Sequence, residues 1–253
     1  MKRLLLFIYL LLTGVQIYAQ TDTIRLSGKN MLATAQLKPG NYQYLVYMHN
    51  PKTGRDSNMS IWKRNVIFTK WNKQDVIAIS QQWFTSDTML NRTVYSISRR
   101  DNFQPIYHYT FMQRAGAEAF NFYDDEITGA DSVANNIKKD FNITLTEPTL
   151  NWELDLEVFN TLPIKKIGQT FMMPFYHPGG RSEPKYYAYT VVGDEKIVGT
   201  AGNYYDCWQL KINYDDTNYG LFWLSKKTGE VLKMQEFYNG WYRYKVRLAT
   251  PIE

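Results

Sequence analysis

The sequence predicts a mainly β fold: a single twisted antiparallel β-roll or half-barrel with one or two short helices. Three observations lead there. Aromatic residues fill 16% of the 253 positions, with 20 Tyr, 13 Phe and 7 Trp, the side chains that suit a pleated, half-buried surface. Apolar residues recur at every second position in short runs, the period of a strand with one buried face. Turn residues separate these runs at short intervals, so few connections are long enough for parallel crossovers. The length suffices for one β domain with a sizeable core. With no linker-like boundary in the chain, residues 20–253 are assigned to a single all-β domain.

Residues 1–19 read differently. Met1-Lys2-Arg3 is a short basic start, Leu4 to Leu12 is uninterrupted apolar sequence, and Ile17-Tyr18-Ala19 offers a small residue before Gln20. This is the pattern of a secretory signal peptide cleaved near Ala19, and it predicts a periplasmic or secreted product. The apolar run is shorter than the ~20 residues a membrane span needs, and no second such run follows, so no transmembrane segment is expected. Cys207 is the only cysteine, which excludes an internal disulfide and a lipid-accepting cysteine after the signal. Without Lys2 and Arg3 the excess of basic over acidic residues falls from five to three, too mild to argue for nucleic acid.

Along the chain, residues 41–48, 60–69, 75–84, 93–98 and 105–112 read as strands, with Asn50-Pro51-Lys52-Thr53-Gly54 as a turn between the first two. Trp62, Val66 and Phe68 share one face by period-two counting, as do Ile77, Ile79 and Trp83. Asp124-Asp125-Glu126 reads as a turn, and residues 130–139 as a short helix. In Asn151 to Phe159 the apolar residues alternate like a strand, yet Trp152, Leu156 and Phe159 also share a helical face. Asn151 suits an N-cap, Glu153 and Asp155 suit a first turn, and Pro163 stops the element, so a helix is predicted. It would close one end of the sheet.

Asn239-Gly240 between two aromatic-rich runs predicts a two-residue type I′ hairpin. That register sets Tyr238 against Trp241, Phe237 against Tyr242 and Glu236 against Arg243. One face then carries Val231, Phe237, Tyr242, Tyr244, Val246 and Leu248, and is assigned to the core. The other carries Glu236, Arg243, Lys245 and Arg247, and is assigned to solvent as a basic ladder. Ser98-Arg99-Arg100-Asp101-Asn102 and Ser225-Lys226-Lys227-Thr228-Gly229 echo one another about half a chain apart. Convergent hairpin chemistry and a duplicated β-half both account for that.

Metal and catalytic signatures are absent from the sequence pattern. His49, His108 and His177 form no ligand spacing with each other or with Cys207, so no metal or cofactor is expected. His108, in line with Ile106 and Met112, reads as a packed, hydrogen-bonded histidine. Cys207 has no GxSxG-like or Cys–His context and reads as a half-buried strand thiol. Asp155 with Glu157, and the acidic triplet, are sequence neighbours rather than carboxyls set across a cleft, as glycosidases require. The most distinctive loop is Phe175-Tyr176-His177-Pro178-Gly179-Gly180-Arg181. Its glycines allow close backbone approach and its arginine offers a fork of donors, as a phosphate or sugar cradle does; equally, it is a long turn between strands. His177, Gly179, Gly180, Arg181 and Tyr187, with Tyr242 and Tyr244, are the candidate ligand-binding residues.

From Leu162 onward the features come in a characteristic order: Leu162-Pro163 before Gly168, Gly193-Asp194-Glu195, the run Gly202 to Leu210, Phe222-Trp223-Leu224-Ser225, and Leu232-Lys233. This resembles the bacterial exported domain-of-unknown-function family 3108, closely over the C-terminal third and in strand layout over the rest. The resemblance implies a twisted, mainly antiparallel β-roll or half-barrel exported to the periplasm, and it carries over no catalytic residue. By analogy of shape with periplasmic lipoprotein carriers it also suggests a lipid-binding concavity.

Two function classes stand. One is a non-enzymatic binding or envelope-maintenance protein with a cavity for an apolar or amphiphilic ligand such as a lipid. The other is a glycan-binding or glycan-processing envelope protein. A continuous apolar cavity marks the first; tryptophans flanked by Asp or Glu across a cleft mark the second.

Overall fold

The computed structural model describes residues 22–26, 32, 34–199 and 202–248; the predicted signal peptide and its cleavage point lie outside the described residues. A first meander consists of β2 (Gly40–Asn50), β3 (Arg55–Trp71), β4 (Gln74–Thr85), β5 (Arg92–Arg99), β6 (Pro105–Met112), β7 (Gly116–Phe122), β8 (Glu126–Gly129) and β9 (Asn142–Thr144), preceded by the short β1 (Thr23–Arg25). After β10 (Leu150–Asn151) and α1 (Asp155–Asn160), the one α-helix among the described residues, a second meander holds β11 (Thr170–Tyr176), β12 (Lys185–Val198), β13 (Tyr204–Asn213), β14 (Tyr219–Ser225), β15 (Val231–Tyr238) and β16 (Trp241–Leu248). Each of the five predicted strands lies inside one of these elements.

Within each meander every strand pairs antiparallel with the next, and β16 pairs antiparallel with β2, so both meanders form one open sheet with β1 and β9 at its edges. The sheet does not close into a barrel. Parallel pairing among the named strands is confined to β1 and β10, both on β11.

To pass from β9 to β11 the chain must return across the sheet, and it does so over the inner face. The crossing segment buries Leu150, Leu154, Leu156, Val158, Phe159 and Leu162. They join one apolar cluster with Val66, Ile77 and Ile79 of the first meander and Phe171, Phe175, Tyr189, Leu210 and Phe222 of the second. Each such side chain contributes roughly 1.5–3 kcal/mol on burial, and α1 is therefore packed all round. The predicted helix over 151–159 forms as a 3-10 turn, Trp152–Leu154, leading into α1. Asn151 caps it as expected, its Oδ1 accepting from the Glu153 N–H at 3.0 Å.

The helix expected over 130–139 does not form; that stretch is a series of turns. Buried Asn136 holds it there. Its Nδ2 donates to the carbonyls of Ala119 at 2.8 Å and Ala130 at 3.1 Å, and its Oδ1 accepts from the Ala119 N–H at 3.1 Å. A side-chain amide standing in for backbone partners competes with helix in this way.

The predicted hairpin is present, with Asn239 at φ 50° and Gly240 at φ 81° and the register Glu236–Arg243, Phe237–Tyr242, Tyr238–Trp241. Val231 is in the core as predicted, but beyond it the faces are the reverse of those predicted. Met234 joins the core, Glu236, Arg243 and Lys245 face a cavity on the inner side, and Phe237, Tyr242 and Tyr244 lie on the outer face. A β-bulge explains the error: Leu224 pairs with Val231 but Trp223 pairs with Lys233, leaving Leu232 as the extra residue. Period-two counting carried through a bulge comes out on the wrong side. The two echoing turns, Ser98–Asn102 and Ser225–Gly229, both connect hairpins, and a register shift adjoins each.

Candidate functional site

The inner face of β3 alternates Trp62, Arg64, Val66 and Phe68, paired with Trp83, Gln81, Ile79 and Ile77 of β4. One polar pair thus sits inside an apolar stripe. Arg64 is 2% exposed, and Glu157, from α1, is 5% exposed. The Arg64 Nε donates to Glu157 Oε1 at 2.9 Å and one Nη donates to Oε2. The guanidinium also donates to Gln81 Oε1 at 2.9 Å and to the Glu153 carbonyl at 3.1 Å. A planar fork is suited to such simultaneous bonds. It fastens the crossing segment to the sheet.

Beside this tie, Trp62 and Trp83 stack at 3.7 Å and 2°. Their outer faces are both covered by cations: Lys245 Nζ lies 4.6 Å from the Trp62 ring centre, and the Arg92 guanidinium 4.6 Å from that of Trp83. The result is a four-layer stack, cation–indole–indole–cation, each outer layer favoured by the ring quadrupole. Arg92 pairs with Glu153 at 2.9 Å and donates to Thr110 Oγ1 at 2.7 Å. Arg243 pairs with Glu236 at 2.9 Å, and the Tyr214 hydroxyl donates to the same carboxylate at 2.9 Å. Across from these, Trp152 stacks on His177 at 4.9 Å and meets Tyr187 edge-on at 4.4 Å.

Together these residues wall a cavity of about 640 Å³ in the concave face. Burial, opposed by the nearby Asp155 carboxylate, lowers the pKa of Lys245 to about 8. Burial also drives the Tyr214 hydroxyl upward, with Glu236 adding to the shift. For Glu153 burial pushes the carboxyl up, but Arg92 with the two histidines outweighs it and the net shift is downward. Behind the wall, His108 is buried and its pKa falls to about 4, chiefly through desolvation. Its Nδ1 lies 2.9 Å from Ser96 Oγ and 3.0 Å from Asn151 Nδ2, which fits the packed histidine expected.

The structure brings four of the predicted site residues to this cavity: His177, Gly180, Arg181 and Tyr187. The loop of the first three is also the connection between β11 and β12, so both readings of it describe the same segment, and Tyr187 follows within β12. Gly179 turns away; at φ 71° its Cβ position lies 2.7 Å from Phe120, so packing and backbone both require glycine there. Tyr242 and Tyr244 do not reach the cavity: they lie on the outer face, where Tyr244 stacks on Tyr47 at 5.2 Å. Sequence reading missed Arg64, Arg92, Glu153, Glu157 and Lys245. The available signal was Arg64 and Gln81, polar residues at the centre of two apolar faces. Cys207 is buried, and its thiol is pushed up to about 11 by desolvation, the opposite of activation. Among the described residues no group of three or more His, Cys, Asp or Glu is placed to hold a metal ion. No helix among them is long and apolar enough to cross a membrane.

Fold and site together define an open antiparallel half-barrel whose concave face holds a polar, aromatic-walled cavity. A family model described as "Protein of unknown function (DUF3108)" matches residues 43–247, and the chain belongs to that family. The match reaches far beyond the C-terminal third, covering β3 to β15 in full. No curated protein matches. Among solved structures, a DUF1329 family protein from Desulfovibrio piger is similar over 82% of this chain and 82% of its own, at 8% identity and a TM-score of 0.26.

Proposed function

We propose that the protein is an exported, non-enzymatic envelope protein whose concave cavity binds a small glycan. The observation that carries this reading is the company the tryptophans keep: Trp62, Trp83 and Trp152 share one cleft with Glu153, Asp155 and Glu236. Carboxylates accept hydrogen bonds from ligand hydroxyls, and the rings, whose faces are largely taken by one another, by Lys245 and Arg92 and by His177, bound the site without contributing a polar group on their faces. An acyl chain finds less room, because α1 and its flanks fill the concavity with Leu154, Leu156, Val158 and Phe159. Binding is favoured over hydrolysis because Glu153, Glu157 and Glu236 are each ion-paired to an arginine. A glycosidase acid must instead stay protonated. The signal-like pattern of residues 1–19 supports a periplasmic or secreted location.

Titration calorimetry with short oligosaccharides, beside displacement of a fluorescent fatty acid, tests the reading. Saturable binding of a saccharide, lost on Trp152→Ala, is expected. Fatty-acid binding without saccharide binding would overturn it in favour of the lipid alternative.

A further inference from the structure

We infer that Lys245 is the anchor for a carboxylate on the ligand, so that the cavity selects an acidic sugar over its neutral counterpart; this rests on the glycan reading above. The inference comes from which charges are already spent. Arg64, Arg92 and Arg243 are paired with Glu157, Glu153 and Glu236. Four charges lining the cavity remain: Arg181 and Glu183 are exposed on the loop, and Lys245 and Asp155 stand farther in.

Lys245 is 5% exposed. Its ammonium has no hydrogen bond or ion pair with any described residue, and its one close partner is the face of Trp62. An ammonium carries three donors, and the Lys245 Nζ, which is not sealed from solvent, opens them onto the cavity. A ligand carboxylate entering the cavity supplies the missing partner. Asp155 is spoken for at one oxygen only, which accepts from the Leu156 N–H at 2.8 Å; the other is available to a sugar hydroxyl. On the exposed loop Arg181 favours approach of an anion and Glu183 opposes it, so the anchor is the charge farther in. Discrimination follows from the same geometry, since a neutral analogue that displaces water from the cavity leaves the donor unpaired, and sites of that kind reject such analogues strongly.

The groups facing Lys245 are Asp155 and Glu236, which favour its charged form, and Arg64 and Arg243, which oppose it. Burial outweighs them all, and the proton leaves near pH 8. Acid selectivity therefore fades on the alkaline side.

The experiment is titration calorimetry of the full chain after export, with a galacturonate disaccharide, the matching galactose disaccharide and acetate, at pH 6.5 and 9.5. Wild type is compared with Lys245→Met, its fold checked by circular dichroism. At pH 6.5 the acidic disaccharide is expected to bind wild type about tenfold or more tighter than the neutral one. That ratio should collapse to within about twofold in the variant, and in wild type at the higher pH. Equal affinities in wild type, or a ratio that survives both changes, overturns the inference and leaves the glycan reading standing. Acetate binding without either saccharide keeps the anion site and overturns the glycan reading; no binding by any probe overturns both. If the Met variant does not fold, the pH arm on wild type decides alone.

Discussion

Tyr244 and Lys245 are neighbours on β16, and they face opposite sides of the sheet. Tyr244 stands outside in a row of rings with Tyr47 and Tyr242. Lys245 stands inside, against Trp62 and among three paired arginines. Composition suggests the reverse, aromatic in and basic out. The two faces are held by different physics. On the outer face each ring contact is a modest increment, and water is at hand for the tyrosine hydroxyls. On the inner face polar groups have been stripped of water, so each depends on its protein partner. The outer face should tolerate truncation; the inner face should not.

The largest expected effect breaks the inner face at its centre. Glu157→Gln leaves the buried Arg64 guanidinium without its counter-charge, and the expected loss is about 3–5 kcal/mol. Urea denaturation measures it, and a loss under about 1 kcal/mol would remove the distinction between the faces.

Acid should act next, through His108. Its pKa is about 4 in the fold against about 6.5 unfolded. Between those values the unfolded chain binds a proton that the native state refuses, so stability falls as pH is lowered. This contribution is complete above about pH 6.5 and is lost by about pH 4, amounting to about 3 kcal/mol. The structural cost is specific. Protonated Nδ1 cannot accept from the Asn151 amide, and Asn151 is the cap of the crossing segment. Urea midpoints followed from pH 7 to 4 should show this slope in wild type, and His108→Gln should flatten it.

The smallest effect belongs to the outer face. Tyr244→Ala should cost about 1 kcal/mol, and a double-mutant cycle with Tyr47→Ala should recover about 0.5–1.5 kcal/mol of coupling. A Tyr244 truncation as damaging as Glu157→Gln would show that the rings, not the buried polar ties, hold the sheet.

Much of this architecture was legible in the sequence because it is local. Alternation marked five of the eight strands of the first meander, Asn239-Gly240 fixed a hairpin and its register, and Asn151 with Pro163 bracketed the short helix. What stayed hidden depends on the third dimension. A one-residue bulge at Leu232 carries no signature in composition, yet it reverses the side on which Glu236, Arg243 and Lys245 stand. Asn136 turned a helix-like stretch into turns through bonds to a strand some distance back in the chain. The cavity itself draws on β3, β4, the crossing segment and the hairpin of β15 and β16, and no spacing rule connects those. Only the His177 to Arg181 loop announced itself, because glycines beside an arginine are conspicuous without any fold.

The pairing of β16 with β2 has a kinetic side. It sets Val246 against Leu45, so the seam in the middle of the sheet is made from strands at the two far ends of the meanders. Closing a loop of that size is entropically slow, and contacts this distant in sequence delay folding. Each meander can zip from hairpin to hairpin on its own, but β2 and β16 then remain raw edges with unpaired backbone groups. The crossing segment can acquire its full packing only when both halves of its surroundings are in place. Assembly therefore ends, rather than begins, at the centre of the molecule, and the interval before that seam closes is when the chain is most exposed to pairing with another copy of itself.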